Sequence, residues 1–172
     1  MMKPAIRNTL LLLIGIVAIF VMLTFMTYSE KTMPDISFTD IDGTSHQLSD
    51  YKGQPILVIF WATDCPGCIM EIPELIALHE EYADNGLAMI GVAMPHDRPE
   101  HIQAMRQQKQ LPYLITWDQT GAITEAFDNV RVTPTHFLIS PRGEIVMRKI
   151  GTLKTEQLKQ KLATMGLASG KS

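Results

Sequence analysis

The chain has 172 residues, enough for one domain of ordinary size and an appendage. It is 46% hydrophobic, a share raised by one segment at its start, and its net charge is −3. With no basic patch and no arginine-rich run, that balance excludes nucleic acid as a partner.

Residues 8–29 carry no charge, and 10–25 are almost wholly apolar. About 20 such residues cross a bilayer core. Lys3 and Arg7 precede the run, which places the N-terminus in the cytoplasm by the positive-inside rule. The rival reading is a cleaved signal peptide. Against it, Thr24-Phe25-Met26-Thr27-Tyr28-Ser29 is too bulky for a small-x-small cleavage site, and no cysteine follows for lipid attachment. The expectation is an uncleaved signal-anchor over residues 1–29, a single transmembrane helix, with the rest of the chain outside the cytoplasm, where disulfide chemistry has substrates.

Residues 30–34 read as a short polar tether and 35–166 as the domain. Residues 35–40 alternate as a strand, Asp42-Gly43 marks a turn, and 45–48 return. A loop with Gly53 leads to residues 55–61, a continuous apolar run of the kind buried on both faces of a sheet. A helix is expected over 66–84, stopped at Asn85-Gly86, kinked by Pro73, with Ile69, Ile72, Ile76, His79 and Ala83 on one face. Residues 87–94 form a second buried strand, 100–110 a polar helix, 112–117 a short strand and 119–127 a short helix. A loop over 129–133 ends in Pro134, and 135–140 and 145–150 flank a turn at Pro141-Arg142-Gly143-Glu144. A last helix over 154–165 stops at Gly166, leaving 167–172 as a flexible tail. Strand–helix–strand order followed by a hairpin and a helix implies an α/β fold, a central mixed β-sheet with helices on both faces.

Cys65 and Cys68, the only cysteines, sit where the 55–61 strand gives way to the 66–84 helix. The first falls near the helix N-terminus, where unpaired N–H groups favour a thiolate, the form that attacks disulfides. The second lies about one turn on, close enough for an internal disulfide. Pro66 suits an early helical position, because its missing N–H would have had no intrahelical partner. Structural zinc needs two more ligands. His96 and His101 form H-x4-H, but a whole helix and strand separate them from Cys68, against about 12–15 residues in finger-like sites. No metal site is therefore expected.

These residues carry a resemblance. Phe60-Trp61-Ala62, Cys65-Pro66-Gly67-Cys68, Glu71, Pro73, Val132-Thr133-Pro134-Thr135 and Phe137-Leu138-Ile139 are similar to the motifs of thioredoxin-fold thiol–disulfide oxidoreductases, and more narrowly of their membrane-anchored TlpA/ResA-like branch. The resemblance implies a thioredoxin-like fold over about residues 34–165. It makes Cys65 the attacking thiol and Cys68 the resolving thiol of a redox-active disulfide, and Pro134 a cis-proline facing them. Thr133 would offer backbone groups to a substrate strand, with Trp61 and Pro66 beside it. Soluble thioredoxins carry a buried aspartate two residues before the motif's tryptophan; here that position is Ile59, which moves no protons. In the TlpA/ResA-like branch a glutamate at the place of Glu71 assists the cysteines. Cys68 must lose a proton to attack a mixed disulfide, and a desolvated carboxylate can take it.

Two positions depart from the pattern. Asp64 stands where tryptophan usually precedes the first cysteine, and Thr135 stands where cytochrome c maturation members tend to carry glutamate. The reading implied is a bacterial inner-membrane, periplasm-facing protein-disulfide reductase. Its partners would be a disulfide-bonded protein substrate and a membrane thiol donor of the DsbD/CcdA type. No cofactor is needed, since two sulfurs carry both electrons. Two rivals share the fold. A Sco-like copper-delivery protein could use Met94 and His96, but has three residues between its cysteines. A peroxiredoxin-type peroxidase places threonine where this chain has Ala62.

Overall fold

The computed structural model describes residues 4–27 and 31–170, and within the first span the side chains of Asn8 and 12–22 alone. Two units result, residues 1–31 and 32–172. In the first, α1 (Pro4–Thr27) is one helix of 24 residues. Its described side chains over 12–22 are apolar and almost all exposed. Among the described residues no helix is long and apolar enough to cross a membrane. Lys3, residues 28–30 and the end of the tail at 171–172 lie outside the described residues.

The second unit begins earlier than the tether reading placed it. Thr32 bridges to Glu144, and the Met33 N–H donates to the Gly143 carbonyl at 2.7 Å while its side chain is buried. Two short strands follow, β1 (Ser37–Thr39) and β2 (Ser45–Gln47), paired antiparallel around the Asp42-Gly43 turn. Then come β3 (Ile56–Trp61), α2 (Pro66–Tyr82), β4 (Ala88–Ala93) and α3 (Pro99–Lys109). The chain closes with β5 (Leu114–Trp117), α4 (Ala122–Ala126), β6 (Thr135–Ile139), β7 (Ile145–Ile150) and α5 (Thr155–Thr164).

The main sheet has the order β5-β4-β3-β6-β7. β4 runs parallel to β3 and β5 parallel to β4, whereas β6 runs antiparallel to β3 and β7 antiparallel to β6. The mixed sheet expected from the element order is therefore present, and it is thioredoxin-like. All six residues of β3 are buried, as a central strand covered on both faces must be. Alternation along it builds two cores. Leu57, Ile59 and Trp61 meet Cys68, Ile72, Leu75 and Leu78 of α2 and Leu158 and Leu162 of α5. Ile56, Val58 and Phe60 meet Phe38 and Leu48 near the first hairpin and Phe127, just after α4.

The stripe that α2 buries is Cys68, Glu71, Ile72, Leu75, Leu78 and Tyr82. The expected face through Ile69, Ile76, His79 and Ala83 is only half-buried, one position out of phase. The cause is Glu71: counted as polar, it pushes the apparent apolar stripe aside, yet it lies at the centre of the real one. α2 runs on through Pro73, as the expected 66–84 helix does. Gly86 takes a left-handed φ of 98° just past the helix, a conformation that suits glycine. Beyond α5, Leu167 packs on the core, the Gly170 N–H donates to the Glu81 carbonyl (3.1 Å), and Asn85 Nδ2 donates to the Ala168 carbonyl (3.1 Å). Residues 167–170 thus dock on the end of α2 instead of trailing free.

Candidate functional site

Cys65 is the N-cap of α2, with extended backbone angles (φ −94°, ψ 105°), and its Sγ accepts the Cys68 N–H at 3.2 Å. A thiolate at that atom would meet one of the unpaired N–H groups of the first helical turn. The two cysteines form a disulfide with Cα atoms 5.3 Å apart. Cys65 is half-buried and Cys68 is 3% exposed, so one sulfur can be approached and the other cannot. Pro66 occupies the first helical position, exposed beside them.

The Thr133–Pro134 peptide is cis. The Pro134 ring packs over the cysteine pair's own turn: a Cβ added to Gly67 would stand 3.4 Å from Pro134 Cδ. The backbone of Gly67 thus lies directly under the proline. Val132 and Met70 are exposed, at 55% and 73%, and flank this junction in sequence. Thr133 is half-buried at its rim.

Trp61 does not face outward as its expected place beside a substrate requires. It is 5% exposed and packs in the α2-side core. Its position in β3 decides this: the alternation that turns Leu57 and Ile59 toward α2 turns Trp61 the same way. Its Nε1 has no hydrogen-bond partner among the described residues and crowds Gly91, where a Cβ would come within 3.2 Å. Asp64 is solvated, with its carboxylate 3.5 Å from the exposed His96. Met94 lies in the opposite core. Among the described residues no group of three or more His, Cys, Asp or Glu gathers as for a metal ion.

Glu71 is buried, 2% exposed, one turn beyond Cys68 on the same face of α2. One carboxylate oxygen pairs with Nε2 of His136, and the other accepts the Leu153 N–H at 3.2 Å. His136 itself is fully buried. It sits on β6 directly opposite Ile59 of β3. The polar group absent at Ile59 is therefore supplied from the neighbouring strand. Tyr113 completes the surroundings: burial pushes its phenol up, and the charge of Glu71 adds to the effect.

Two residues here escape a reading of the sequence. His136 is a polar residue in a largely apolar strand, and only the β3–β6 register sets it against Glu71. Asp97 lies in a loop without a motif. Its carboxylate accepts the Thr63 N–H (2.8 Å), the Thr63 hydroxyl (2.7 Å) and the Arg98 N–H (2.8 Å), pinning the segment that leads into Cys65.

A cysteine pair at a helix N-terminus, one sulfur accessible, under a cis-proline on a mixed sheet, defines a thioredoxin-fold thiol–disulfide oxidoreductase. The chain belongs to the AhpC/TSA family, whose model matches residues 30–148. It is 28% identical to the thiol-disulfide oxidoreductase ResA of Geobacillus kaustophilus, over 93% of this chain and 95% of that one. It is 31% identical to the thioredoxin-like protein YneN of Bacillus subtilis, over 80% and 85%. Among solved structures, the thioredoxin domain of a thiol-disulfide oxidoreductase from Bacteroides vulgatus superposes with a TM-score of 0.66 at 25% identity, covering 78% of this chain and 95% of that one. A thiol:disulfide interchange protein from Chlorobium tepidum shares the fold, with a TM-score of 0.72 at 21% identity over 79% and 96%. The protein is a ResA-like enzyme that exchanges thiols and disulfides.

Proposed function

We propose that this enzyme is held in the bacterial inner membrane by its N-terminal helix and reduces disulfides of proteins outside the cytoplasm. The observation that carries the redox role is the half-exposed Cys65 capping α2 beneath cis-Pro134. Cys65 attacks a substrate disulfide while the substrate strand lies along Thr133. Cys68, its proton taken with help from Glu71, resolves the mixed disulfide. The protein is left oxidised, and a membrane thiol donor of the DsbD/CcdA type recharges it. The anchor is supported by the uncharged run over residues 8–29 and by the exposed apolar side chains over 12–22 of α1. A helix apolar on every side belongs in lipid or in a large core.

Trapping, potential, topology and assay measurements test the reading. Cys68→Ser should trap a mixed disulfide between Cys65 and the substrate, releasable by a small thiol; no trapped species from membrane preparations would count against it. A reduction potential near −270 mV, about that of thioredoxin, fits a reductant, while one near −120 mV would make the protein an oxidant. A reporter fused after Ser172 should be active only if periplasmic, and a soluble form beginning near Ser29 would remove the anchor. Metal content and peroxide consumption of the reduced protein separate it from the copper-delivery and peroxidase readings.

A further inference from the structure

One turn beyond Cys68, two ionisable side chains are buried against each other. Glu71 and His136 are 2% and 0% exposed, from α2 and from β6, and they contact each other through Oε1 and Nε2. The Leu153 N–H holds the other carboxylate oxygen, and His136 Nδ1 has no hydrogen-bond partner among the described residues. The elements packed around the pair bring few other titratable groups. α2 brings Cys68, and the segment entering β5 brings Tyr113, whose phenol burial keeps neutral. β7 brings half-buried Lys149, in register with His136. β3 brings Ile59 and α5 brings Leu158 and Leu162.

Burial alone favours the neutral form of a carboxylate, and a protonated acid cannot take a proton from a thiol. Two donors face the Glu71 carboxylate. With the carboxylate ionised, the His136 Nε2–H and the Leu153 N–H both point at it. Nδ1 is then a bare acceptor, so the pair carries one negative charge and has one open position for a proton. Uptake leaves the pair neutral overall, the charge state a buried site tolerates best.

We propose that His136 is a positioning and proton-sharing residue for the redox couple, and that Glu71 and His136 act as one unit that accepts the Cys68 proton. The inference rests on the disulfide-reductase reading above. The Cys65 thiolate attacks one sulfur of the substrate disulfide, forming the mixed disulfide and releasing one substrate thiolate. The Cys68 thiol gives its proton to the Glu71–His136 pair. The resulting thiolate attacks the Cys65 sulfur, the Cys65–Cys68 disulfide forms, and the second substrate thiolate leaves. Two electrons pass to the substrate, and the proton held by the pair passes on to the departing thiolate or to water.

The reduced full-length protein, mixed in a stopped-flow with dithiobis-nitrobenzoate, separates the steps. The first coloured thiolate reports attack by Cys65 and the second reports resolution by Cys68. His136→Gln keeps an N–H donor toward Glu71 but cannot carry the proton. It should leave the first phase unchanged and slow the second about tenfold near neutral pH, below the usual acid–base range because a thiol needs less help. Its second-phase rate should climb toward about pH 8.5, the range of an unassisted thiol, while the wild type levels off lower. Glu71→Gln should match it, and the double variant should be no slower than the slower single, as members of one unit behave.

A His136→Gln second phase with the wild-type rate and pH profile would overturn the inference, as would two single effects that multiply. Absence of the first phase in the wild type would overturn the reductase reading and this inference with it. If neither variant folds, nitrogen NMR of the wild-type imidazoles decides. The His136 ring nitrogens should give different shifts at neutral pH in the reduced and oxidised protein, because the Cys68 sulfur carries a proton to give in only one of them; identical shifts would overturn the proposal.

Discussion

Asp97 acts on the cysteine motif without touching it. Three donors converge on its buried carboxylate, two of them from Thr63, two residues before Cys65. Asp97→Ala strands those donors, and unsatisfied buried groups cost about 1–3 kcal/mol. We expect Tm to fall by roughly 4 °C or more, and Cys65 to be alkylated with altered kinetics as its loop loosens; unchanged melting and alkylation would show that the loop holds itself. Gly91 is constrained in another way. Its φ is ordinary, but a Cβ there would stand 2.7 Å from Ile115 Cδ1, 3.2 Å from Trp61 Nε1 and 3.3 Å from Tyr113 Cε2. Gly91→Ala overpacks this layer, which typically costs about 1–3 kcal/mol. Denaturant titration of the oxidised protein checks the loss, and wild-type stability would mean that Ile115 swings aside freely.

At the scale of elements, the contact of α2 with α5 has a pH signature. Lys159 Nζ donates to Glu81 Oε2 at 2.7 Å. The Lys159 ammonium, and then a hydrogen bond from Ser169, hold the Glu81 carboxyl below its usual range against the opposing effect of burial. The hydrogen bond to Glu81 raises Lys159 in turn, with burial again opposing. A depressed carboxyl contributes stability above its unfolded pKa, about 4.3, and loses it as pH falls through the lower folded value. A raised lysine contributes below about 10.4 and loses its share as pH rises through its higher folded value. The pair is therefore fully effective between those limits. Both side chains are partly solvated, 18% and 33% exposed, so water screens them and the gain is at most about 1 kcal/mol. Glu81→Gln should lower Tm by a few degrees, about 2–4 °C, at pH 7. The two melting curves should converge as pH is lowered below about 4. A gap that persists in acid would assign the effect to lost packing instead.

The whole molecule divides at residue 31, and the second unit has its own beginning. Met33 is buried and its N–H is tied to Gly143, so the domain starts before its first strand. A chain beginning at Thr32 should keep the melting temperature of the full-length domain. One beginning at Asp35 loses the Met33 side chain from the core, worth about 1.5–3 kcal/mol when fully buried. Calorimetry of the two truncations checks this; equal melting would return residues 32–34 to the tether.

Local chemistry made the cysteine site legible from the residues alone. Cys65, Pro66 and Cys68 at a strand-to-helix junction need only the periodicity of their own segments to be placed, and the apolar run ending at Trp61 announces a central strand. Pro134 could be set opposite them only through the family resemblance. What no local pattern contained was how separate segments face each other. The burial of Glu71 ran against its polarity and put the α2 stripe out of phase. Trp61 turned inward because its strand alternates toward α2. Asp97 and Thr63 meet across 34 positions of sequence, and Glu71 and His136 across 65. A buried polar group is tolerable only where a partner meets it, and that partner is chosen by sheet register and helix packing. The sequence by itself determined where the two cysteines sit, and the tertiary structure alone decided which groups meet Glu71 beside them, because a register between β3 and β6 is not written in either strand.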